Sequence, residues 1–381
     1  MQISCRIDGR CLNPYYLTQI LSRCSEFCSS LLNFMKILTL ETTCDETAAA
    51  VVQSSDLNGA PIEVLGSVVA SQTDLHVEYK GVVPEIAARA HVERVLPVIH
   101  RTIEQAGISL DELDAVAVAN TPGLSGSLLV GLMAAKSFCL ALDKPLIAVN
   151  HLHAHVYACQ LGKERSVYPC IGMIVSGGHT HIYRFDDPID AHYLGGTIDD
   201  AAGEAFDKVA TMLGLPYPGG PEISRVAKLG NEKAWSFPRS FIREERLDFS
   251  FSGLKTAVRY AIAGPGKTDI TGVELDSAQV ADLAASFQAA VVDCLVSKAM
   301  QAVEQTGLLQ LCVGGGVAAN RLFRERLEQA CRDEEVALHV APANLCTDNA
   351  VMGAIAVERY RAELFESLDL DILPGLVRVS R

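Results

Sequence analysis

Two stretches of this chain share one form: a strand, a short polar turn and a second strand. The first runs Ile37-Leu38-Thr39-Leu40, turns through Glu41-Thr42-Thr43-Cys44-Asp45-Glu46-Thr47 and leaves through Ala48 to Val52. The second runs Cys170 to Val175, turns through Ser176-Gly177-Gly178-His179 and leaves through Thr180 to Tyr183. Apolar runs joined by turn-forming residues read as β-hairpins. One such unit in each half of a chain is a strong restriction. It predicts an α/β fold of two duplicated domains around a central cleft, each offering its hairpin to that cleft. Polar turns of this kind suit anionic oxygens, because their backbone N–H groups form nests. A plain hairpin with turn-forming polar residues fits the first stretch equally well.

Between the hairpins lies Asn150-His151-Leu152-His153-Ala154-His155. Ile147 to Val149 read as a strand, and Leu152, Val156 and Tyr157 read as the buried stripe of a helix. On that helix His151 and His155 share a face one turn apart, which lets two imidazoles meet one metal ion. His153 points the other way. A pair with this spacing is often two ordinary side chains, so the rest of the chain has to decide.

A length of 381 residues suggests two domains, and 49% hydrophobic with 20% charged residues is ample for packed cores. The net charge of -14 gives no basic footprint for a nucleic acid, although a local patch or a partner can supply one. Twelve cysteines without a C-x-x-C pair read as reduced thiols, mostly small core residues. The longest apolar run, Leu124 to Leu142, holds Lys136 and several Ser and Gly, so it reads as a buried helix and not a membrane span. Residues 1–34 carry Cys5, Cys11, Cys24 and Cys28 and lack a signal-peptide cleavage pattern. They read as a leader that is disordered or untranslated, with Met35 as the start; a transit peptide is the alternative. The domains are then expected at 35–165 and 166–381, with a helical insertion near 203–305 and the last helix packing back on the first domain.

Other segments carry candidate chemistry. His76 to His91 leads through Val-Val-Pro into a helix with Val95, Leu96, Ile99 and Ile103 as its stripe, and Glu85 and Arg89 at its entry. Thr121 to Ser127 opens a helix with small residues, as an anion site or as close packing. Asp199 and Asp200 are expected to cap the helix that carries Asp207 and Lys208. Pro216 to Pro221 is a rigid loop, and a basic stretch (Lys228, Lys233, Arg239, Arg243, Arg246) precedes Phe249 to Thr256. Gly314-Gly315-Gly316 lets a flat or phosphorylated ligand lie on backbone, with Asn320 placed to bond a sugar or base. Asp348 is a natural helix cap and equally a natural third metal ligand.

The hairpin pair resembles the actin-like ATPase and sugar-kinase (ASKHA) superfamily. The full set of segments, in order from residue 35 to the last helix, resembles the TsaD/Gcp family of tRNA adenosine threonylcarbamoyltransferases. The resemblance implies His151, His155 and Asp348 as metal ligands, with Fe(II), zinc or another divalent ion between them. It implies nucleotide-substrate contacts at Ile174, Val175, Ser176, Gly177, Gly178, Asp207, Gly220 and Asn320. Asp45 or Glu46 is expected to orient the metal shell or take a proton. The implied reaction moves threonylcarbamoyl from threonylcarbamoyl-AMP to N6 of adenosine 37 in tRNAs reading ANN codons, releasing AMP. The implied partners are tRNA, a TsaB-like paralogue and a TsaE-like ATPase, with a cytoplasmic location. Ser224 stands where relatives often have Asp, and Lys80 where glycine is usual. A kinase of the same fold is the alternative. A metalloprotease is the lesser alternative, because Leu152 stands where a zincin needs Glu.

Overall fold

The computed structural model describes residues 6–7, 10–11, 34–57, 59–264, 267 and 269–375. Two short strands, β1 (Arg6–Ile7) and β2 (Arg10–Cys11), pair antiparallel. The rest of the expected leader before Phe34 lies outside the described residues.

The first sheet is built from β3 (Phe34–Glu41), β4 (Glu46–Ser55), β5 (Glu63–Ser71), β6 (Ala115–Thr121) and β7 (Leu146–Asn150), in the order β5-β4-β3-β6-β7. Between them come α1 (Thr73–His76), α2 (Pro84–Ala106) and α3 (Ser125–Leu142), and α4 (His151–Tyr157) follows. The first three strands form an antiparallel meander, and β6 and β7 join parallel. Strand residues alternate between two cores. Leu38, Val51, Val116 and Val118 face α2 and α3, whereas Ile37, Ala50, Val52 and Ala117 face the main core. Burial on both faces explains why these strands read as continuous apolar runs.

The second sheet repeats the plan. It contains β8 (Cys170–Val175), β9 (Thr180–Phe185) and β10 (Ala191–Gly196). Four helices follow: α5 (Ala202–Met212), α6 (Gly219–Ala227), α7 (Ser252–Ala263) and α8 (Ser277–Thr306). Then come β11 (Gln310–Gly314), α9 (Arg321–Asp333), β12 (Ala337–Val340) and α10 (Ala356–Arg361). The order β10-β9-β8-β11-β12 is the first sheet's order again, and again the last two strands run parallel to the first. This doubled arrangement is the actin-like fold. α4 packs on strands of both sheets, and α10 returns to β7 and β3 of the first. Beyond α10 the chain returns to the first sheet: Glu366 N–H donates to Leu146 O on the edge strand β7 at 2.8 Å, and Leu373 N–H to Asn120 O on β6 at 3.0 Å.

Two helix readings need correction. α3 is half-buried: Leu128, Leu132 and Cys139 pack on the sheet, while Leu129, Met133 and Leu140 are exposed. Leu96 also lies outside the buried stripe of α2, exposed beside Val92. Helices α3 and α8 are each long and apolar enough to cross a membrane by length and composition, although most of α8 is buried inside the protein.

Candidate metal centre and adjoining cavity

β7 hands over directly to α4 because Asn150 caps the helix, accepting the Leu152 and His153 N–H groups at 2.9 and 3.3 Å. The cap fixes the phase of the helix, and His151 and His155 emerge on one face with ring centroids 4.7 Å apart. Asp348 enters from the far end of the chain. Its neighbour Asn349 takes the capping role, accepting Met352 N–H at 3.2 Å, which leaves the Asp348 carboxylate free. Asp348 Oδ1 lies 3.1 Å from His155 Nε2 and 3.6 Å from His151 Nε2. These three donor atoms lie within 4.8 Å of one another.

Behind the triad stands a residue that sequence reasoning missed as part of the site. Glu41, at the buried end of β3, holds His151 Nδ1 at 3.1 Å through one oxygen and accepts Thr43 N–H at 2.7 Å through the other. Thr43 Oγ1 is also 3.2 Å from that Nδ1. With Nδ1–H donating to the carboxylate, Nε2 keeps its lone pair toward the triad, the arrangement that orients metal-binding imidazoles. A glutamate at the end of an otherwise apolar buried strand was the available signal. His155 lacks such a partner at its Nδ1, which is buried and unpaired among the described residues, so packing and the Nε2 contact to Asp348 orient the ring. His153 points away, between Tyr183 and Phe185, and Leu152 is fully buried.

The electrostatics match a cation site. Burial opposes protonation of His151, but the Glu41 and Asp348 carboxylates outweigh it and raise its pKa to about 9. Burial also resists ionisation of Asp348, but His151 and His155 outweigh it and hold the carboxyl well below its usual range. Glu46 is pushed up to about 10, by burial first and then by Asp348 and Asp45. A divalent cation beside Asp348 would pull it back down. Two imidazoles, one carboxylate and an orienting second carboxylate fit a divalent transition metal. His91 holds the turn that bears Asp45 and Glu46, with Nδ1 2.8 Å from Thr47 Oγ1 and Nε2 3.0 Å from Cys44 O.

A cavity of about 890 Å³ adjoins the triad, reaching Thr347 beside Asp348 and Gly177 in the second hairpin. Asp207, Gly220, Gly316 and Asn320 line it. Asp207 accepts Gly219 N–H at 2.7 Å and so fixes the start of α6. Burial raises its pKa against that bond. Ile174 and Val175 are fully buried, so their side chains belong to the core, whereas Gly177 and Gly178 are exposed.

Several readings change. Asp199 caps α7 and not α5, accepting Phe251 N–H at 2.9 Å and Ser252 N–H at 3.3 Å. Asp200 pairs with Lys208 and Lys255. Of the three consecutive glycines, only Gly316 opens to the cavity. A Cβ on Gly314 would lie 2.5 Å from His155 O, and one on Gly315 would strike Val175 O. The small residues after Thr121 serve packing, since a Cβ on Gly123 would lie 2.7 Å from Thr43 O. In the basic stretch, Arg239 pairs with Asp293 and Arg246 with Asp248. Asn320 lines the cavity with its side chain engaged within the protein: Oδ1 caps α9, and Nδ2 bonds Ser224 and Gln288.

Comparison with known proteins agrees with this geometry. HypF of T. kodakarensis superposes with a TM-score of 0.56 at 14% identity, covering 87% of this chain and 49% of that one, a likeness of fold alone. A tRNA N6-adenosine threonylcarbamoyltransferase from Rhodopirellula baltica is 56% identical over 353 residues, covering 90% of this chain and 97% of the relative. One from Syntrophobacter fumaroxidans is 49% identical over 327 residues, covering 86% and 94%. The family model described as TsaD, tRNA N6-adenosine threonylcarbamoyltransferase, matches residues 63–355. A doubled actin-like fold and a two-histidine, one-aspartate centre beside a glycine-walled cavity accompany that match over most of the sequence, and the chain belongs to the TsaD family.

Proposed function

We propose that this protein transfers the threonylcarbamoyl group from threonylcarbamoyl-AMP to N6 of adenosine 37 in tRNAs that read ANN codons. The convergence of His151, His155 and Asp348, with Glu41 behind them and the cavity beside them, carries this reading. In it the N6 amine attacks the carbamoyl carbon, the bond from that carbon to the phosphate oxygen breaks, AMP leaves and the amine loses a proton. The AMP portion occupies the cavity lined by Asp207, Gly220 and Asn320. The exposed Gly177-Gly178 turn, following Ile174, Val175 and Ser176, offers backbone donors to the phosphate and carbamoyl oxygens.

His151, His155 and Asp348 would hold the metal, and the donor set suits Fe(II). When bound it supplies Lewis-acid polarisation of a substrate oxygen. Glu41 keeps His151 in the ligating tautomer. Asp45 and Glu46, in the turn electrostatically coupled to Asp348, shape the charge around that centre, and one of the two would orient the metal shell or take the amine proton. The exposed apolar residues Val92 and Leu96 of α2 and Leu129, Met133 and Leu140 of α3 offer a docking face for a TsaB-like paralogue, with a TsaE-like ATPase completing a cytoplasmic assembly.

The deciding experiment mixes the protein with these partners, threonylcarbamoyl-AMP and unmodified tRNA, then digests the tRNA for mass spectrometry. Threonylcarbamoyladenosine from wild type and none from His151→Ala or Asp348→Ala is expected. No product with verified partners and bound metal would overturn the reading.

A further inference from the structure

The orientation of one amide in the cavity follows from its neighbours. Asn320 Oδ1 accepts the Phe323 N–H at 3.1 Å, so Nδ2 is the end of that side chain turned to Ser224 and Gln288. Nδ2 can only donate. The Gln288 atom 2.9 Å from it is therefore the oxygen, Oε1. Ser224 Oγ accepts from the same Nδ2 at 2.8 Å and donates to the same Oε1 at 2.8 Å. The three side chains close a triangle that occupies both lone-pair positions of Gln288 Oε1.

What is left over is a donor. Gln288 is 8% exposed, sits on the otherwise apolar stripe of α8 between Phe287 and Ala289, and lines the cavity. Its NH2 makes no hydrogen bond to another described residue. A buried amide locked on one side by two bonds and open on the other presents a fixed polarity to a ligand. At Ser224, where the resemblance leads one to expect a carboxylate, the hydroxyl is already engaged within the triangle.

We propose that Gln288 is a specificity-determining residue of this chain: its NH2 donates to a ribose oxygen of the bound nucleotide. This rests on the reading of the cavity as the AMP subsite. A carboxylate at this point would accept from ribose hydroxyls. Here the protein donates and the sugar accepts, so the ligand needs an oxygen but not its hydrogen. O-methylated riboses satisfy that requirement, and a cavity of about 890 Å³ has room for a methyl group. Deoxy riboses do not satisfy it.

The test is calorimetric titration of the full chain with AMP, its 2′- and 3′-O-methyl forms and its 2′- and 3′-deoxy forms. At one of the two positions the O-methyl form is expected to bind within about twofold of AMP and the matching deoxy form roughly fivefold more weakly, the scale of one neutral hydrogen bond. Gln288→Glu keeps an oxygen toward Ser224 and Asn320 and replaces the NH2 with an acceptor. In that variant the O-methyl form should lose roughly fivefold relative to AMP. The wild-type series decides alone if the variant does not fold. O-methyl and deoxy forms weakened alike, or a flat series with AMP bound, would overturn the role of Gln288 and leave the AMP subsite standing. Wild-type protein that binds no AMP would overturn both.

Discussion

The two hairpins occupy equivalent places, between the first and second strands of sheets with the same order, yet they do opposite things. In the β3–β4 turn the side chains do the work. Thr42 and Thr43 are buried, Glu41 reaches back to His151, and His91 grips Cys44 from outside. In the β8–β9 turn the side chains have been removed. Gly177 and Gly178 leave the backbone exposed, and the Ser176 side chain is spent on holding the turn, its Oγ accepting the His179 N–H at 3.2 Å. A duplicated scaffold has thus been divided into a half whose turn side chains orient the His151 ring and a half whose turn leaves its backbone exposed.

The largest blow to that division is removal of a triad member. His151→Ala or Asp348→Ala should lower product formation by at least about a hundredfold and abolish stoichiometric metal, read by elemental analysis of the purified protein. Glu41→Gln attacks the orienting half alone. It should weaken metal binding by roughly 10- to 100-fold while leaving the fold intact, measured by competition with a chromophoric chelator.

The same residue governs a pH response of the metal-free protein. His151 has its folded pKa raised from 6.5 to about 9, so the stability it contributes is whole below 6.5 and disappears as pH rises through 9. Melting temperature should therefore fall over that window, and Glu41→Gln should flatten the fall. An unchanged slope in the variant would remove Glu41 as the cause.

Two glycine substitutions sharpen the contrast at lower amplitude. Gly123→Ala places a Cβ 2.7 Å from Thr43 O and should destabilise the first turn by about 1–3 kcal/mol in chemical denaturation. Gly177→Ala meets nothing within 4 Å and should leave stability within about 0.5 kcal/mol. Its effect should appear as a raised KM for the adenylate. A small effect is also expected at Lys80, held at φ +56° between α1 and α2, in the segment that links β5 to β6. Lys80→Gly removes a left-handed strain of about 1 kcal/mol but adds chain entropy to the unfolded state, so stability should change by less than about 1 kcal/mol.

The doubled fold was legible because the central strands β3, β4, β6, β8 and β11 are buried on both faces, which prints them as apolar runs. The triad was legible because His151 and His155 share a helix and Asp348 sits in a polar segment before an apolar helix. What the sequence hid was long-range. Glu41 and His151 are 110 positions apart, and the one local signal, a glutamate ending an apolar strand, does not say which residue it faces. A helix-start asparagine can cap a helix or meet a ligand, and the sequence did not show that Asn320 also bonds Ser224 and Gln288, 96 and 32 positions away. Asp199 misled for a similar reason, since the helix it caps begins 53 residues away from it, at Ser252.

The course of the chain after α10 bears on how the protein is handled. β7 is an edge strand, and Glu366 covers its end by pairing with Leu146. Exposed edges recruit other chains, so this short pairing acts as a guard against self-association. The guard is tied down where Gly123 N–H donates to Pro374 O, next to the first turn. A truncation ending before Glu366 would strip that edge, and the expected symptom is loss of soluble yield, visible on expression before any assay is run.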